Sequence, residues 1–205
     1  MSRSDIRKSM RALRRSVDDT QRNTSALALL NNLATQSWYL ESDSIAAYLS
    51  NDGEIDLVHV IQDLIAREKQ LSLPKLNSDK GLMHFCDWQS SDELISNRYG
   101  ILQPAKENIR ALTEHSLVLT PLVAFDVKGN RIGMGGGYYD RLLSKGNPSE
   151  QSISQKRPLI VGVGYEFQQL DMIEAEEWDI PLDAVVTDKE VIPISARIKR
   201  RASSD

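Results

Sequence analysis

The residues best suited to chemistry form one short stretch, 131–141, which reads RIGMGGGYYDR. Its glycines leave the backbone open to close approach by a ligand. An apolar, strand-like run (117–125) precedes the stretch and a helix can begin at Tyr138, so the glycines are predicted to lie between a strand and a helix. Backbone N–H groups at such a junction are well placed to bind an anion, and phosphate is the usual one.

Charged side chains flank these glycines. Arg131 and Arg141 put positive charge at the two ends of the stretch, and Asp140 supplies a carboxylate that can bind a magnesium ion bridging phosphate oxygens. The pattern therefore predicts a nucleotide-phosphate loop. A glycine-rich turn that only joins two elements is the alternative.

Two common phosphate-binding signatures do not fit this stretch. A P-loop requires Gly-Lys-Ser/Thr, and no lysine occurs here; a dinucleotide-binding motif that began at Gly133 would need a glycine at the position of Tyr138. The GVG of residues 162–164 also fails the dinucleotide pattern and is interpreted as packing. Both signatures are therefore rejected for this stretch.

The elements that must position the loop follow from hydrophobic periodicity. A first helix is predicted after Ser4, with Ile6, Met10, Leu13 and Val17 on its apolar face. A second helix is predicted over residues 19–35, and strands then alternate with helical segments. The predicted strands cover residues 44–49, 70–74, 82–86, 117–119, 122–125, 159–165, 184–187 and 191–194. The alternation predicts an α/β fold with a mainly parallel central sheet flanked by helices, a Rossmann-like layering with antiparallel additions.

Composition limits the classes of protein. The chain has 205 residues, 40% of them hydrophobic and 26% charged, and a formal net charge of −4. We expect one domain over residues 1–195, a mobile loop over 144–156 and a disordered basic tail over 196–205. The mild acidity argues against a nucleic-acid partner, and the single cysteine excludes an internal disulfide. No apolar run is long enough for a membrane span, so we expect a cytoplasmic monomer or weak homo-oligomer.

The glycine stretch, preceded by TPLVAFDVKGN (120–130), resembles the signature of the 5-formyltetrahydrofolate cyclo-ligase family, the methenyltetrahydrofolate synthetases. The resemblance extends over nearly the whole chain, in the family's order, through AAYLSNDGEID, LPK, ILQP and EEWDIPLDAVVTD. It implies an α/β enzyme that closes 5-formyltetrahydrofolate to 5,10-methenyltetrahydrofolate. ATP would be the co-substrate, Mg²⁺ the cofactor, and ADP and phosphate the other products.

The resemblance also implies roles for individual residues. In the family, basic residues four apart in the first helix contact ATP, commonly Lys then Arg; here they are Arg3 and Arg7. Arg131 and Asp140 are the expected catalytic residues. The expected ATP-binding residues are Arg3, Arg7, Arg131, Gly133, Met134, Gly135, Gly136, Gly137, Tyr138 and Tyr139.

The folate and the metal are assigned in the same way. Glu54 is expected to accept two N–H donors from the pterin, although a charge that complements a helix dipole is the alternative. Asp140 and Asp179 are the expected magnesium ligands, with Asp183 as the alternative to Asp179. The expected substrate-binding residues are Leu49, Glu54, Tyr99, Met134 and Tyr138.

Two other classes of function compete with this interpretation. A non-catalytic nucleotide- or folate-binding protein would not need the carboxylate pair Asp140 and Asp179. A sugar-phosphate isomerase would need a proton-abstracting base but no ATP. Formation of ADP only in the presence of folate distinguishes the three classes.

Overall fold

The structure, a computed structural model, describes residues 1–77, 82–144, 157–176 and 178–198. The helices are α1 (Arg3–Ser16), α2 (Asp19–Ala34), α3 (Ser37–Leu40), α4 (Val58–Ala66) and α5 (Tyr138–Ser144), with 3₁₀ turns at Leu112–Glu114 and Glu166–Gln168. The strands are β1 (Ser44–Ala46), β2 (Gln70–Asn77), β3 (Leu82–Asp87), β4 (Leu94–Ser96), β5 (Leu102–Pro104), β6 (Ile109–Arg110), β7 (Leu117–Pro121), β8 (Ala124–Phe125), β9 (Arg131–Ile132), β10 (Leu159–Val163), β11 (Ala184–Val186) and β12 (Val191–Pro193).

An eight-stranded sheet forms the centre of the fold, in the order β12-β11-β10-β7-β1-β2-β3-β6. The neighbours from β11 to β2 are parallel. Strand β12 at one edge and strands β3 and β6 at the other are antiparallel to their neighbours. The predicted α/β fold is therefore confirmed. The loops that follow β1 and β7 lie side by side at the carboxyl ends of the parallel strands.

Side chains of the central strands alternate between two buried layers. In β7, Leu117 and Leu119 pack with residues of α2 and α4, while Val118 packs on the opposite face with Leu143 of α5. Both faces of the sheet are thus covered, and this explains why the central strands are continuous apolar runs without alternating polar residues.

Helix α1 packs beside the sheet, where Ile6 and Met10 contact a third cluster that includes residues of β8 and β9. Its N-cap is Ser2, which forms a capping box with Asp5, two residues earlier than the predicted cap. The predicted core role of Leu13 is wrong, because its exposure is 48%. The adjacent residue in the helix, Arg14, is buried instead.

The apolar run 117–125 forms two strands, as predicted, but the second is not part of the central sheet. Strand β7 ends at Pro121, and β8 turns back to pair antiparallel with β9. The glycine stretch therefore follows the short strand β9 and leads into α5. The predicted order of strand, glycines and helix is confirmed, but the strand belongs to a hairpin beside the sheet.

The predicted start of the tail at residue 196 is wrong. Residues 196–198 form a helical turn, in which Ile198 is fully buried in the main core and Arg197 donates to Pro158 O at 3.2 Å. Residues 199–205 lie outside the described residues, as does the predicted loop 144–156 except for Ser144, the last residue of α5. In the described ranges, no helix has the length and apolar character needed to cross a membrane.

Candidate active site

A cleft of about 730 Å³ opens beside the ends of β1 and β7, a size typical of small-molecule sites. It brings together residues up to 176 positions apart in the chain. Every residue assigned above to ATP, substrate or metal lines it: Arg3, Arg7, Leu49, Glu54, Tyr99, Arg131, Gly133, Met134, Gly135, Gly136, Gly137, Tyr138, Tyr139, Asp140 and Asp179.

The glycine stretch 133–137 crosses this cleft between β9 and α5. Gly135 and Gly137 have φ of 97° and 62°, conformations that a side chain would disfavour. None of the N–H groups from 133 to 137 donates a hydrogen bond to another described group. Main-chain donors that lack an internal partner are available to a ligand anion.

The carbonyl groups of the same stretch are bound by arginines. Gly133 O accepts a hydrogen bond from Arg7 Nε at 2.8 Å, and Gly136 O accepts one from Arg141 Nη2 at 2.8 Å. These contacts hold the loop from the α1 side and from α5, and they add positive charge next to the glycine N–H groups.

Arg131 interacts with both predicted metal ligands, through a hydrogen bond to Asp140 and through the charge of Asp179. Its guanidinium is 5% exposed, donates to Asp140 Oδ1 and also donates to the carbonyl of Ile180. Burial lowers the pKa of Arg131, and the charges of Asp140 and Asp179 oppose that effect. Both carboxylates therefore act on the same guanidinium. Asp179 also accepts a hydrogen bond from Arg3 Nη2 at 2.8 Å.

The chemistry of Asp140 and Asp179 fits a magnesium ion, which prefers hard oxygen ligands. The described parts of the chain contain no group of three or more His, Cys, Asp or Glu residues that could hold a metal by themselves. Asp140 and Asp179 would hold the ion as two carboxylate ligands, and phosphate oxygens and water would supply the remaining ligands, as is common for Mg²⁺.

Asp183, the alternative ligand, has a different environment. It is fully buried, accepts a hydrogen bond from Ile160 N at 2.9 Å and is paired with Arg157 and Arg197. It does not line the cleft. Asp183 is therefore a structural residue that joins β10 to the C-terminal turn.

The loop after β1 carries Glu54 into the cleft. Its Oε2 accepts a hydrogen bond from Asn51 N at 3.1 Å, and Glu54 N donates to Asn51 O at 3.0 Å. Burial raises the pKa of Glu54 to about 7, although the guanidinium of Arg14 and the N–H of Asn51 oppose the shift. Helix α4 begins at Val58 and has no acidic residue in its first turn, so the helix-dipole alternative for Glu54 is wrong.

Tyr138 and Tyr99 meet across the mouth of the cleft and form what we call the tyrosine bridge. Their hydroxyls are 3.0 Å apart, and Arg98 Nη2 donates to Tyr138 Oη at 2.7 Å. Tyr99 and, to a smaller extent, Arg98 lower the pKa of Tyr138. The bridge joins α5 to the tip of the hairpin formed by β4 and β5.

Tyr139 presents a buried polar group. Its hydroxyl has no partner among the described residues, and its ring lies edge-on to Phe85 at 6.5 Å. Burial raises the pKa of Tyr139. A buried hydroxyl without a protein partner is a candidate for a hydrogen bond to a ligand.

Several cleft residues were not found from the sequence. Arg11 lines the cleft and continues the four-residue spacing of Arg3 and Arg7, a signal that was available. Trp178, whose exposure is 64%, also lines the cleft next to Asp179. Asp52 lines it as well, but no spacing rule marks this residue.

Comparisons with known proteins agree with this geometry. The family model described as the 5-formyltetrahydrofolate cyclo-ligase family matches residues 1–188. A 5-formyltetrahydrofolate cyclo-ligase of Haemophilus influenzae is 34% identical over 183 residues, which are 88% of this chain and 94% of that protein. The protein of the same name from Escherichia coli K12 is 33% identical over 185 residues, 89% of this chain and 98% of that protein.

A solved structure has the same fold. The NMR structure of Aquifex aeolicus 5,10-methenyltetrahydrofolate synthetase superposes with a TM-score of 0.79 and 30% sequence identity, over 95% of this chain and 93% of that chain. The 5,10-methenyltetrahydrofolate synthetase of Mycoplasma pneumoniae, 22% identical, superposes with a TM-score of 0.71 over 92% of this chain and all of that chain.

Proposed function

This chain belongs to the 5-formyltetrahydrofolate cyclo-ligase family of enzymes, and on that premise we propose that it closes 5-formyltetrahydrofolate to 5,10-methenyltetrahydrofolate with ATP and Mg²⁺. The main support from its own geometry is the single cleft that joins the glycine N–H groups, the arginines of α1, two carboxylates and Glu54. A site with donors for phosphate at one part and an acceptor for a pterin at another suits a reaction between ATP and a folate.

The chemistry explains why ATP is needed. The formyl oxygen is a poor leaving group, so it first attacks the γ-phosphorus of ATP, and the bond to ADP breaks. Nitrogen 10 then attacks the formyl carbon and loses its proton. The carbon–oxygen bond breaks, phosphate leaves, and the five-membered ring of the methenyl product remains. No covalent bond to the protein is required, so the protein's task is positioning and charge stabilisation.

The phosphate groups would be held by the main chain and by arginines. N–H groups of Gly135, Gly136 and Gly137 donate to phosphate oxygens, and Arg3 and Arg7 neutralise their charge. Arg131 is catalytic in this scheme, because its guanidinium stabilises the charge that develops on the transferred phosphoryl group. Met134, Tyr138 and Tyr139 complete the nucleotide contacts.

Asp140 and Asp179 would hold the metal. When bound there, Mg²⁺ supplies positive charge to the phosphate oxygens. The two carboxylates fix the position of that charge, and Arg131 and Arg3 keep both carboxylates ordered before the nucleotide arrives.

The folate would occupy the part of the cleft near β1 and the hairpin. Glu54, when ionised, accepts two N–H groups of the pterin edge. Leu49 and Met134 supply apolar contacts, and the tyrosine bridge of Tyr99 and Tyr138 covers the substrate at the mouth. The formyl group would then lie between the pterin site and the glycine stretch.

The direct test is an absorbance assay for the methenyl product with purified protein, 5-formyltetrahydrofolate and Mg-ATP. We expect product only when all three reactants are present, and ADP only in the presence of folate. ADP formation without folate would indicate a simple nucleotidase, and folate binding without turnover would indicate a non-catalytic binding protein.

Isotopic labelling tests the mechanism separately. Substrate with ¹⁸O in the formyl group is expected to deliver one labelled oxygen per turnover to the released phosphate, which mass spectrometry detects. Unlabelled phosphate together with normal methenyl formation would refute phosphorylation of the formyl oxygen and leave the cyclo-ligase activity intact.

We further infer that the enzyme works in the cytoplasm as a single domain, as a monomer or weak homo-oligomer. Its partners would be its small-molecule substrates, with no role for nucleic acid or a membrane. The net charge of −4 and the size of the cleft, about 730 Å³, support small-molecule partners.

A further inference from the structure

Arg14 is a charged residue whose side chain is fully buried. It lies near the end of α1, its side chain is 0% exposed, and its Nε has no partner among the described residues. Nη1 donates to Leu122 O at 3.2 Å, and Nη2 donates to Asp52 O at 3.1 Å. A buried guanidinium is costly unless it is paired, so its partners show what the charge is used for.

The anionic partners of Arg14 lie in the loop that carries Glu54. Nη2 is 3.2 Å from Asp52 Oδ2, and Nη1 is 3.9 Å from Glu54 Oε1. Asp52 is shared with Arg11 and Arg15, so three guanidinium groups face one carboxylate. Positive charge therefore remains on the Asp52 cluster, and Glu54 is the nearest additional anion.

The same loop lies directly on the backbone of α1. Gly53 has a φ of 74°, and a Cβ at this position would lie 2.8 Å from Arg14 O. The loop and the helix are thus in contact through the main chain as well as through the guanidinium. This contact fixes the distance between the guanidinium of Arg14 and the carboxylate of Glu54, which lines the cleft.

From this geometry we propose that Arg14 is a positioning residue for Glu54, the side chain assigned to the folate: it holds the loop 51–54 against α1 and keeps the Glu54 carboxylate ionised. Arg14 does not line the cleft and does not touch the substrate. The inference rests on the proposed function, because that function gives the ionised Glu54 its ligand.

Among the groups around Glu54, Arg14 is the main one that stabilises the ionised carboxylate. Arg14 comes from α1, Asp52 from the same loop, Tyr48 from the end of β1 and Tyr139 from α5. Of these, only Arg14 is positive; Asp52 raises the pKa of Glu54, and burial raises it further, to about 7. Loss of the guanidinium would therefore favour the protonated carboxyl, which cannot accept two N–H groups from the pterin.

The test compares Arg14→Met with wild type by the pH dependence of kcat/KM for the folate. Wild type is expected to show an acid limb near pH 7. If the Glu54 pKa rises by about 1 unit without Arg14, the ionised fraction at pH 7 falls from about one half to about one tenth. We expect about a 5-fold loss of kcat/KM at pH 7, recovery above about pH 9, and an unchanged KM for ATP.

Arg15→Met is the matched control. Arg15 pairs with the same carboxylate of Asp52, but its side chain is 57% exposed and it lies outside the cleft. Its acid limb is expected to overlie that of wild type. A pH-independent loss in Arg14→Met, or an equal shift in Arg15→Met, would overturn the proposal, because either result indicates a structural role only.

Two further measurements keep the test decisive. If Arg14→Met does not fold, Arg14→Gln retains a donor for Leu122 O and is expected to show the same shift; failure of both to fold would overturn the proposal. If wild type forms no methenyl product, the proposed function fails, and ¹³C NMR titration of the Glu54 carboxyl still tests Arg14. An equal Glu54 pKa in wild type and variant would then refute its role.

Discussion

At the scale of single residues, the cleft holds charged groups whose environment opposes folding. Glu54 is poorly hydrated, and Arg131 is almost completely buried. Specific partners offset the cost of burying each charge. Arg14 and Asn51 stabilise the Glu54 carboxylate, and Asp140 stabilises the Arg131 guanidinium. Groups of this kind are characteristic of functional sites, where charge is fixed in place before a ligand arrives.

Glu54→Gln is expected to stabilise the free protein at alkaline pH. The folded-state pKa of Glu54 is about 7, above its usual value of 4.5. Since the folded state holds this proton more tightly than the unfolded state, stability falls as the pH rises from 4.5 to 7. The variant lacks this loss, so we expect a gain of about 1–3 kcal/mol at pH 8.

Urea unfolding at pH 4 and pH 8 measures this gain, and the folate KM measured in parallel should rise. A variant whose stability relative to wild type is the same at both pH values would show that Glu54 does not titrate in this range. Asp56→Asn, a change in the same loop, is a control for a general effect of charge.

Asp140→Asn is expected to reduce kcat by about 10²-fold or more, the usual size for loss of one electrostatic stabiliser. A neutral amide is a weaker magnesium ligand, and it leaves Arg131 without its anionic partner. Folate affinity should stay close to that of wild type, since the proposed pterin contact is Glu54 and not Asp140. Steady-state turnover over a magnesium titration, with folate binding measured separately, checks both expectations.

Asp43→Asn is the control for this change, because the Asp43 side chain is 90% exposed and pairs with Lys69 away from the cleft. The unfolding midpoint of Asp140→Asn should also fall, so turnover is compared well below it. Normal turnover at limiting magnesium would refute the assignment of Asp140.

At the scale of elements, the cleft is closed by contacts between segments that do not share a sheet. The hairpin of β4 and β5 reaches α5 through Tyr99 and Arg98, which both contact Tyr138, and it forms its own two-stranded sheet. Helix α1 reaches the glycine stretch through Arg7. The hairpin also packs against the central sheet, where Leu76 N of β2 donates to Gln103 Oε1 of β5 at 3.1 Å. Its tip, residues 97–101, is therefore the part whose position can depend on the contacts with Tyr138.

Tyr138→Phe is expected to loosen the hairpin. The change removes the acceptor for Arg98 and the contact with Tyr99. Each exposed hydrogen bond contributes about 0.5–1.5 kcal/mol, so the folate KM should rise about 2- to 10-fold. Hydrogen exchange of residues 97–101 should become faster.

Tyr165→Phe provides the comparison for that experiment. The Tyr165 hydroxyl has no partner among the described residues and lies outside the cleft. Its loss should change neither KM nor exchange in the hairpin. Slow exchange of residues 97–101 in Tyr138→Phe would mean that the hairpin is held by other contacts.

The sequence predicts contiguous parts of the site better than parts made by folding. Residues 133–140 lie together in the cleft in any fold that keeps their strand–loop–helix order. Arg14 and Asp52 are 38 positions apart, and their contact depends on how the loop after β1 meets α1. Periodicity assigns Leu13 to the core and Arg14 only to the edge of the apolar face, whereas in the structure Leu13 is exposed and Arg14 is fully buried.

At the scale of the whole molecule, the main core cluster extends from Leu29 in α2 to Ile198, the last described residue. The sequence predicts the α/β class because apolar strands alternate with helices. It does not predict the order of strands, which depends on crossover connections. It also does not predict that Ile198 packs with the main cluster, since a single apolar residue in a basic segment has no periodic pattern.

Ile198→Ala is expected to lower the free energy of unfolding by about 2–5 kcal/mol, the range for a large-to-small change in a core. Its side chain is fully buried, whereas Ile109 has an exposure of 59%. Ile109→Ala should therefore stay within about 0.5 kcal/mol of wild type. Urea denaturation of the two variants makes the comparison, and equal effects would show that Ile198 lies outside the core.

The contacts of α1 have a consequence for protein synthesis. Arg14, Arg7 and Arg3 bind groups that follow them by 108, 126 and 176 positions. The helix leaves the ribosome early, and these partners leave late, so the three contacts cannot form during most of translation. A nascent chain that has already folded β1 and β2 still lacks the complete cleft, because Trp178 and Asp179 line it and emerge late.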